Sequence, residues 1–481
     1  MAILTKMRFI ILGAGLSGLS CGVALAGSGH EVVIIEKEAE VGGLARSFRI
    51  KGYTFDYGPH FLFGKGVYDL IREKFPEIEL NKIDSTKEKI YLNGRYLNFP
   101  FDPVNVLSNI EKNKVPGVLF ELILKRLFSH DHSHPSQNVE DWVIQTVGRR
   151  IYDYISLGGY IKKLYGLPPT EISYEWGIQK LKFLAKWRNT NFIKLAVKSF
   201  SEKSNVKKRV IHYPPAGIDH IPIQISNYFR SLGGEIYLNS QVQSVQQRIN
   251  DVSVTIKRNS EQKNLVGDFL ISTIPLSHLV GMLIPAVPKE IREKVNILRY
   301  RTLLLLYLFI KRESLLKDQC IYFTEDSFFF RRITEFNHLS RNMAPEKKTS
   351  LCIEITCFDN DEIDNKDKNK IFRIVVSQLE KTGFLKERDI EGYHFLRIPF
   401  AYPVYELQSS SLMETILSQL KNYKNLVSIG RQGLFYYNAM NSSIMMSYEL
   451  GEKLAASDKD KWERITDDMY QSRLTKYESK V

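Results

Sequence analysis

Apolar and polar positions fall into blocks of different period along the chain. A short apolar run, Arg8 to Leu12, predicts a strand, and a glycine-rich turn leads into a helix from about Ser17 to Ser28. A second strand is expected from Glu31 to Glu36, which completes one βαβ unit. Between about Asp102 and Lys207 the period changes. DWVIQTVGRRIYDYI and EWGIQKLKFLAKW carry apolar residues three and four positions apart, the mark of helices with one buried face. Alternation returns beyond Tyr228 in EIYLNSQVQSVQQ, DVSVTIKR and DFLISTIP, as in sheets with one polar side. From 299 to 400 a series of β-rich runs (TLLLLYLFIKR, CIYFTED, FFFRRITEF, SLCIEITCF, YHFLRIPF) predicts a second sheet. A last strand, VSIG, and a helix, IMMSYELGEKLA, lie within 427–456.

At 481 residues the chain is long enough for two or three folded regions. Composition adds little to this picture: 43% hydrophobic and 25% charged residues are ordinary for a globular protein. The excess of 67 Lys and Arg over 54 Asp and Glu favours anionic ligands or surfaces, although a solvated Lys-rich surface accounts for it equally. A small anionic molecule is the expected partner, and no nucleic acid is expected. Cys21, Cys320, Cys352 and Cys357 show no paired spacing, which suits a reducing, cytoplasmic compartment. No secretory signal is expected, because the first apolar stretch is broken by Gly13, Gly15 and Gly18. The run Leu303 to Ile310 spans eight residues, against roughly 20 for a bilayer, and reads as a buried strand. Val115 to Phe128, with Lys125 and Arg126, has the pattern of an amphipathic helix and is expected to pack on its own domain rather than on a membrane. His130, His132 and His134 read as a loop, since no Cys or Glu completes a metal site, and no metal is expected.

The strongest chemical signal is Gly13-Ala14-Gly15-Leu16-Ser17-Gly18, placed between a predicted strand and a predicted helix. Gly13 permits the tight turn, Gly15 lets a pyrophosphate approach the backbone, and Gly18 lets helix and strand pack closely. The amides at the helix start, at Leu16 and Ser17, then face the phosphates. Glu36 stands 23 positions after Gly13, where a carboxylate accepts hydrogen bonds from an adenosine ribose. Beyond Glu36 and Lys37 comes a second glycine doublet, Gly42-Gly43, followed by Leu44, Ala45 and Arg46. An extended FAD needs such additional contacts, and a guanidinium suits its pyrophosphate. Gly430 and Arg431 offer a further contact near the ribityl chain and flavin. Nothing marks a covalent attachment, so non-covalent FAD is expected. No second fingerprint occurs, so NAD(P)H, if it is the reductant, binds across the flavin face.

EKEAEVGGLAR, followed by FDYGPHFLF at Phe55 to Phe63, resembles the flavoprotein superfamily of amine oxidases, protoporphyrinogen oxidases and UDP-galactopyranose mutases. Further blocks are similar to the mutase and its bacterial protoporphyrinogen-oxidase-like relatives: Tyr91 to Phe101, Glu140 to Ile155, Gly158 to Ser173, Phe330 to Phe336, Ala401 to Val404 and Ile429 to Ile444. The resemblance implies an α/β fold: a Rossmann-type FAD-binding domain, an inserted helical domain and an antiparallel-sheet substrate domain. The expected boundaries are 1–85, 208–290 and 421–481 for the FAD domain, 103–207 for the helices, and 86–102 with 291–420 for the substrate sheet. It implies a place for His60 beside the flavin ring, for Val242 near adenine, for Thr273 at the cofactor-facing strand end, and for Asn441 in the C-terminal cofactor loop.

For the substrate, the resemblance implies Arg332, Tyr402 and Tyr437 as active-site residues, joined by Tyr160. Arg332 is expected to grip a diphosphate with its planar fork. Three positions depart from the mutase. Tyr165 replaces a Trp, Gln179 or Lys180 stands where a second arginine is expected, and Ala439 replaces an acid. The expected activity is an FAD-dependent oxidoreductase passing a hydride to flavin N5 from a sugar-nucleotide or glycoside-like substrate. The alternatives are a mutase, in which reduced flavin attacks a UDP-sugar, and a flavoprotein that serves only as a binding module.

Overall fold

The computed structural model describes residues 6–84, 88–101, 103–128, 136–181, 184 and 210–472. The histidines of 130–134 and most of 182–209 lie outside the described residues.

The βαβ unit forms as its pattern predicts. The strand Arg8–Leu12 runs parallel to Glu31–Ile35, with the helix Leu16–Gly27 between them. Distant segments complete a five-stranded parallel sheet in the order Glu235–Tyr237, Glu31–Ile35, Arg8–Leu12, Phe269–Ser272, Leu426–Ser428. The register aligns the carboxyl ends: Leu12 pairs with Ile35 and Ser272, and Ser272 with Ser428. The chain reverses its winding at Arg8–Leu12, and the crevice beyond such strand ends is where open α/β sheets bind ligands. The helix Leu16–Gly27 is buried along almost its whole length, between the sheet and the helices His220–Ser231 and Met440–Ala455. Gly451 permits the close helix crossing, since a Cβ there would stand 2.7 Å from both the Ala24 Cβ and the Cys21 carbonyl. This is an FAD-type Rossmann fold with additional domains.

Beside it, Ser240–Gln247, Val252–Arg258 and Glu261–Gly267 form an antiparallel meander, joined by the short parallel strand Leu283–Ile284. The second large sheet has seven strands, in the order Ile390–Pro403, Tyr300–Ile310, Thr349–Cys357, Arg332–Glu335, Cys320–Phe323, Glu88–Leu92, Arg95–Asn98. It is antiparallel except where Cys320–Phe323 meets Glu88–Leu92, so the sheet is mixed rather than purely antiparallel. Its second strand, Tyr300–Ile310, explains the unbroken apolar run. Leu303, Leu305, Tyr307 and Phe309 join the core shared with the first domain, while Leu304, Leu306, Leu308 and Ile310 pack with Ile371, Val375 and Leu379 of the helix Lys368–Lys381. A strand covered on both faces needs no polar alternation.

The described helical region comprises Pro103–Asn109, Val115–Phe128, Val139–Val147, Arg149–Tyr154, Leu157–Tyr165 and Tyr174–Lys180. Val115–Phe128 buries Val115, Val118 and Leu122, yet Phe120 is 63% exposed, so only one side of this helix packs on the domain. Among the described residues no helix is long and apolar enough to cross a membrane, and no cluster of potential ligands for a metal ion occurs. All four cysteines are buried and unpaired.

Candidate active site

At the carboxyl edge of the parallel sheet, Gly13 N–H donates to the Ile35 carbonyl at 2.8 Å and closes the turn. Gly18 is fixed by packing, because a Cβ there would collide with the Gly13 carbonyl. Gly15 caps the helix in extended conformation with no side-chain cap, which leaves the first-turn amides open to an anion. The second glycine doublet lies against this turn. Gly42 N–H donates to the Ala14 carbonyl at 2.8 Å, and a Cβ on Gly15 would have only the Gly43 Cα near it, at 3.9 Å. The two backbones thus form a cradle without side chains, as a pyrophosphate requires.

Glu36 is buried at the end of its strand, where Oε2 accepts from Ala14 N–H at 2.8 Å and Oε1 from Glu38 N–H at 3.0 Å. Its carboxylate is thereby locked in place for a ribose diol. Ser240 N–H donates to the Glu36 carbonyl at 2.9 Å, which brings the strand carrying Val242 beside it. Lys37 points into solvent with 68% side-chain exposure, so its contribution is at most its backbone. Arg46 donates Nε–H to the Gly43 carbonyl at 3.0 Å and covers the Tyr57 ring at 4.7 Å. Ala45 is buried, with its N–H on the Gly42 carbonyl at 2.9 Å. Ser17 faces Gly430, where an added Cβ would lie 2.9 Å from the Ser17 hydroxyl. Thr273 spends its hydroxyl on the Leu12 carbonyl at 2.7 Å, so it shapes the turn rather than offering a free donor. Asn441 Nδ2 donates to the Phe63 carbonyl and ties the start of Met440–Ala455 to the second cofactor segment. These residues fit an adenine dinucleotide. Glu36→Ala is expected to weaken FAD binding by about 1–3 kcal/mol, read by titrating the apoprotein with FAD. Unchanged affinity would place the ribose elsewhere.

The other end opens into a cleft with about 310 Å³ of free space, part of it open solvent. Leu44, Tyr57, Gly58, Pro59 and His60 form one wall, and Arg332, Glu354, Tyr402 and Arg431 face them. Asp56 anchors the first wall: its carboxylate accepts from Ser47 Oγ at 2.7 Å, Tyr213 Oη at 2.6 Å and Ile218 N–H at 3.0 Å. His60 Nδ1 lies 2.9 Å from the Gly58 carbonyl, which only accepts, so Nδ1 carries the proton and Nε2 keeps its lone pair. Burial, with Arg431 and Arg332 nearby, lowers the imidazole to about 4, so it is neutral at pH 7.

On the opposite wall the expected free arginine fork is not free. Arg332 Nε donates to Glu354 Oε1, and its NH1 lies 3.2 Å from Tyr322 Oη. Arg331 shares the same carboxylate through NH2 and also reaches Tyr402 Oη at 3.2 Å. Burial pushes the Glu354 carboxyl up, but the two guanidiniums more than offset this and hold it below the usual carboxylate range. Arg431 is held by the carbonyls of Asn438 and Ala401 and covers the Tyr437 ring at 5.2 Å. Tyr402 and Tyr437 meet edge to face at 4.9 Å. Lys180 Nζ donates to the Tyr437 carbonyl and sits 4.4 Å above that ring. Tyr160 packs near Tyr322 at 6.0 Å. Tyr165 is buried against Trp176 at 5.2 Å, its hydroxyl without a partner and within electrostatic reach of Tyr437, Tyr405, Tyr160 and Tyr402.

Residues 16–409 match the model of the flavin containing amine oxidoreductase family. The chain belongs to that family. A 15-cis-phytoene desaturase from Glycine max is 25% identical to this amine oxidoreductase-family chain over 305 residues, covering 59% of the chain and 50% of the desaturase. The chain therefore spans about half the length of that curated relative. Among solved structures, a reduced UDP-galactopyranose mutase superposes with a TM-score of 0.80 at 20% identity, over 97% of this chain and 99% of the mutase. A cyclohexylamine oxidase from Brevibacterium oxydans gives 0.63 at 15% identity, over 96% and 99%. At these identities the superpositions report a shared fold.

Sequence reasoning missed Glu354, Arg331 and Arg301. The available signal for Glu354 was a lone carboxylate within the otherwise uncharged strand Thr349–Cys357. For Arg301 it was a single cation at the head of TLLLLYLFI.

Proposed function

We propose that the protein is an FAD-dependent oxidoreductase that holds its cofactor non-covalently and oxidises a small anionic substrate, of sugar-nucleotide or glycoside type, in a reducing cytoplasmic compartment. The observation that carries this reading is the cavity itself: its one wall, Leu44 and Tyr57 to His60, follows directly from the cofactor cradle, and its other wall presents Arg332, Glu354 and Tyr402. Gly13, Gly15, Glu36, Gly43 and Arg46 are the residues to hold FAD. Bound FAD supplies a two-electron acceptor.

The chain's own contribution is orientation and charge. Arg332, Arg331 and the Tyr402 hydroxyl orient an anionic or hydroxyl-rich group against the cavity. His60, fixed by Gly58 and kept neutral, offers the Nε2 lone pair as a hydrogen-bond acceptor that orients a substrate hydroxyl. The bulk of Tyr57, Pro59 and Tyr402 excludes water. A reductant such as NAD(P)H, if one is used, binds across the flavin face rather than in a domain of its own.

A second reading, a redox-neutral sugar-nucleotide mutase, is favoured by one observation: Tyr402, which lines the cavity, meets Tyr437 edge to face at 4.9 Å, and tyrosine hydroxyls suit a phosphate. Electron stoichiometry separates the two, because an oxidoreductase consumes an acceptor at every turnover and a mutase needs only priming. Arg332→Lys keeps the charge but loses the bond to Glu354 and the planar fork. It is expected to raise KM roughly tenfold or more, with Lys180→Ala having the smaller effect and flavin content normal in both. If UDP and UDP-sugars leave the flavin spectrum unchanged and Arg332→Lys turns over normally, the sugar-nucleotide substrate is wrong.

A further inference from the structure

Behind Tyr402 the substrate wall carries buried arginine N–H groups that find no acceptor. Arg331 and Arg332 share one carboxylate, Glu354, which is fully buried. A third arginine, Arg301, is only 3% exposed. It stands opposite Tyr402 in the register between Tyr300–Ile310 and Ile390–Pro403, so the two side chains leave the same face of the sheet. The Arg301 guanidinium lies 4.2 Å over the Phe358 ring, yet among the described residues it has no ion pair and no hydrogen bond, and its Nε is buried without a partner. Arg331 Nε is buried and unpartnered as well.

The neighbouring carboxylates are already engaged. Asp361, which faces Arg301, accepts from the N–H groups of Phe358, Ile363 and Asp364 at 2.7, 2.9 and 2.9 Å. Glu406 pairs with Arg299 at 2.8 Å. Burial lowers Arg301 to about 10, which still leaves it cationic at neutral pH. A ring face attracts a cation but satisfies none of its N–H groups. Buried polar groups are nearly always partnered, and an unpaired buried charge is among the costliest features a fold can retain. Gly166 is fitted to this side chain, since any Cβ there would collide with the guanidinium. Directly before Gly166 comes Tyr165, whose buried hydroxyl is also unpartnered.

We propose that Arg301 is an anion-binding, specificity-determining residue of the substrate site: with Arg331 and the hydroxyls of Tyr402 and Tyr165, it takes a carboxylate or phosphate group of the substrate. The proposal rests on the reading that a substrate binds against this wall, and it holds for either an oxidoreductase or a mutase. The anion supplies acceptors for the unpartnered Nε–H groups of Arg301 and Arg331, so empty and filled sites differ in stability as well as in occupancy.

The test uses flavin-loaded full-length protein, titrated with acetate, inorganic phosphate and pyrophosphate against sodium chloride at matched ionic strength. Melting temperature and the fluorescence of Trp176, beside Tyr165, report binding. At least one anion is expected to bind saturably, and the arm that does so tells carboxylate from phosphate. Arg301→Met is expected to weaken that anion roughly tenfold or more, and Arg301→Lys by less, with flavin content retained. No saturable effect in the wild-type protein, or wild-type affinity in Arg301→Met, overturns the proposal. If Arg301→Met does not fold, Arg301→Lys decides: an unchanged anion affinity overturns it and a weakened one supports it. Wild-type protein that takes up no flavin would defeat the oxidoreductase reading instead, and the same anion titration is then run on the flavin-free full-length protein, with the same outcomes deciding the proposal.

Discussion

Gly15→Val is expected to fold and to be colourless. Gly15 has φ −74° and ψ 176°, an extended conformation open to any residue, and a Cβ there finds only the Gly43 Cα, 3.9 Å away. The protein alone therefore accommodates the new side chain. A pyrophosphate laid across the turn does not, because the methyls would occupy its approach to the helix amides. Flavin retention should fall below detection, while circular dichroism and the denaturant midpoint of the apoprotein stay close to wild type. Gly18→Ala makes the contrast, since its Cβ collides with the Gly13 carbonyl and the damage should appear as lost stability first. A Gly15→Val protein with its full complement of flavin would remove the pyrophosphate from this turn.

Glu354→Ala is expected to cost about 3–5 kcal/mol of stability, the range for stripping the partner from a buried charge. Glu354 lies at 0% exposure, bonded to Arg331 and Arg332 together, and its removal leaves two guanidiniums in the wall with no carboxylate. Denaturant unfolding of the holoprotein measures the loss. Glu354→Gln keeps the shape and one acceptor, so it should fall between wild type and Ala. A loss under about 1 kcal/mol in the Ala variant would mean that solvent reaches the arginines, and this wall would then be wet.

Much of the fold was legible because local chemistry dictates it. Gly13, Gly15 and Gly18 can serve together only at a strand-turn-helix junction, and Glu36 follows from the same unit. The run Leu303 to Ile310 read as a buried strand because nothing but two apolar neighbours explains it. What escaped was set by long-range pairing. Glu354 meets Arg332 only because Thr349–Cys357 pairs with Arg332–Glu335 in one register, which no local pattern encodes. For the same reason Arg332 looked like an open fork in the sequence, and its engagement by Glu354 became visible only in three dimensions. Lys180 has its place in a motif, but its bond to the Tyr437 carbonyl, 257 residues away, is set by the fold alone. The family resemblance implies an antiparallel substrate sheet, but the Glu88–Leu92 strand arrives from the far side of the helical region and pairs in parallel.

The central claim is that this chain cradles FAD non-covalently between the Gly13–Gly18 turn and the Gly42–Arg46 segment. The most direct measurement is mild acid denaturation of the purified protein, with the supernatant analysed for flavin. The expected result is a yellow protein that releases intact FAD at close to one per chain and regains its colour when FAD is returned to the apoprotein. A protein that is colourless, and stays so after incubation with FAD, would contradict it.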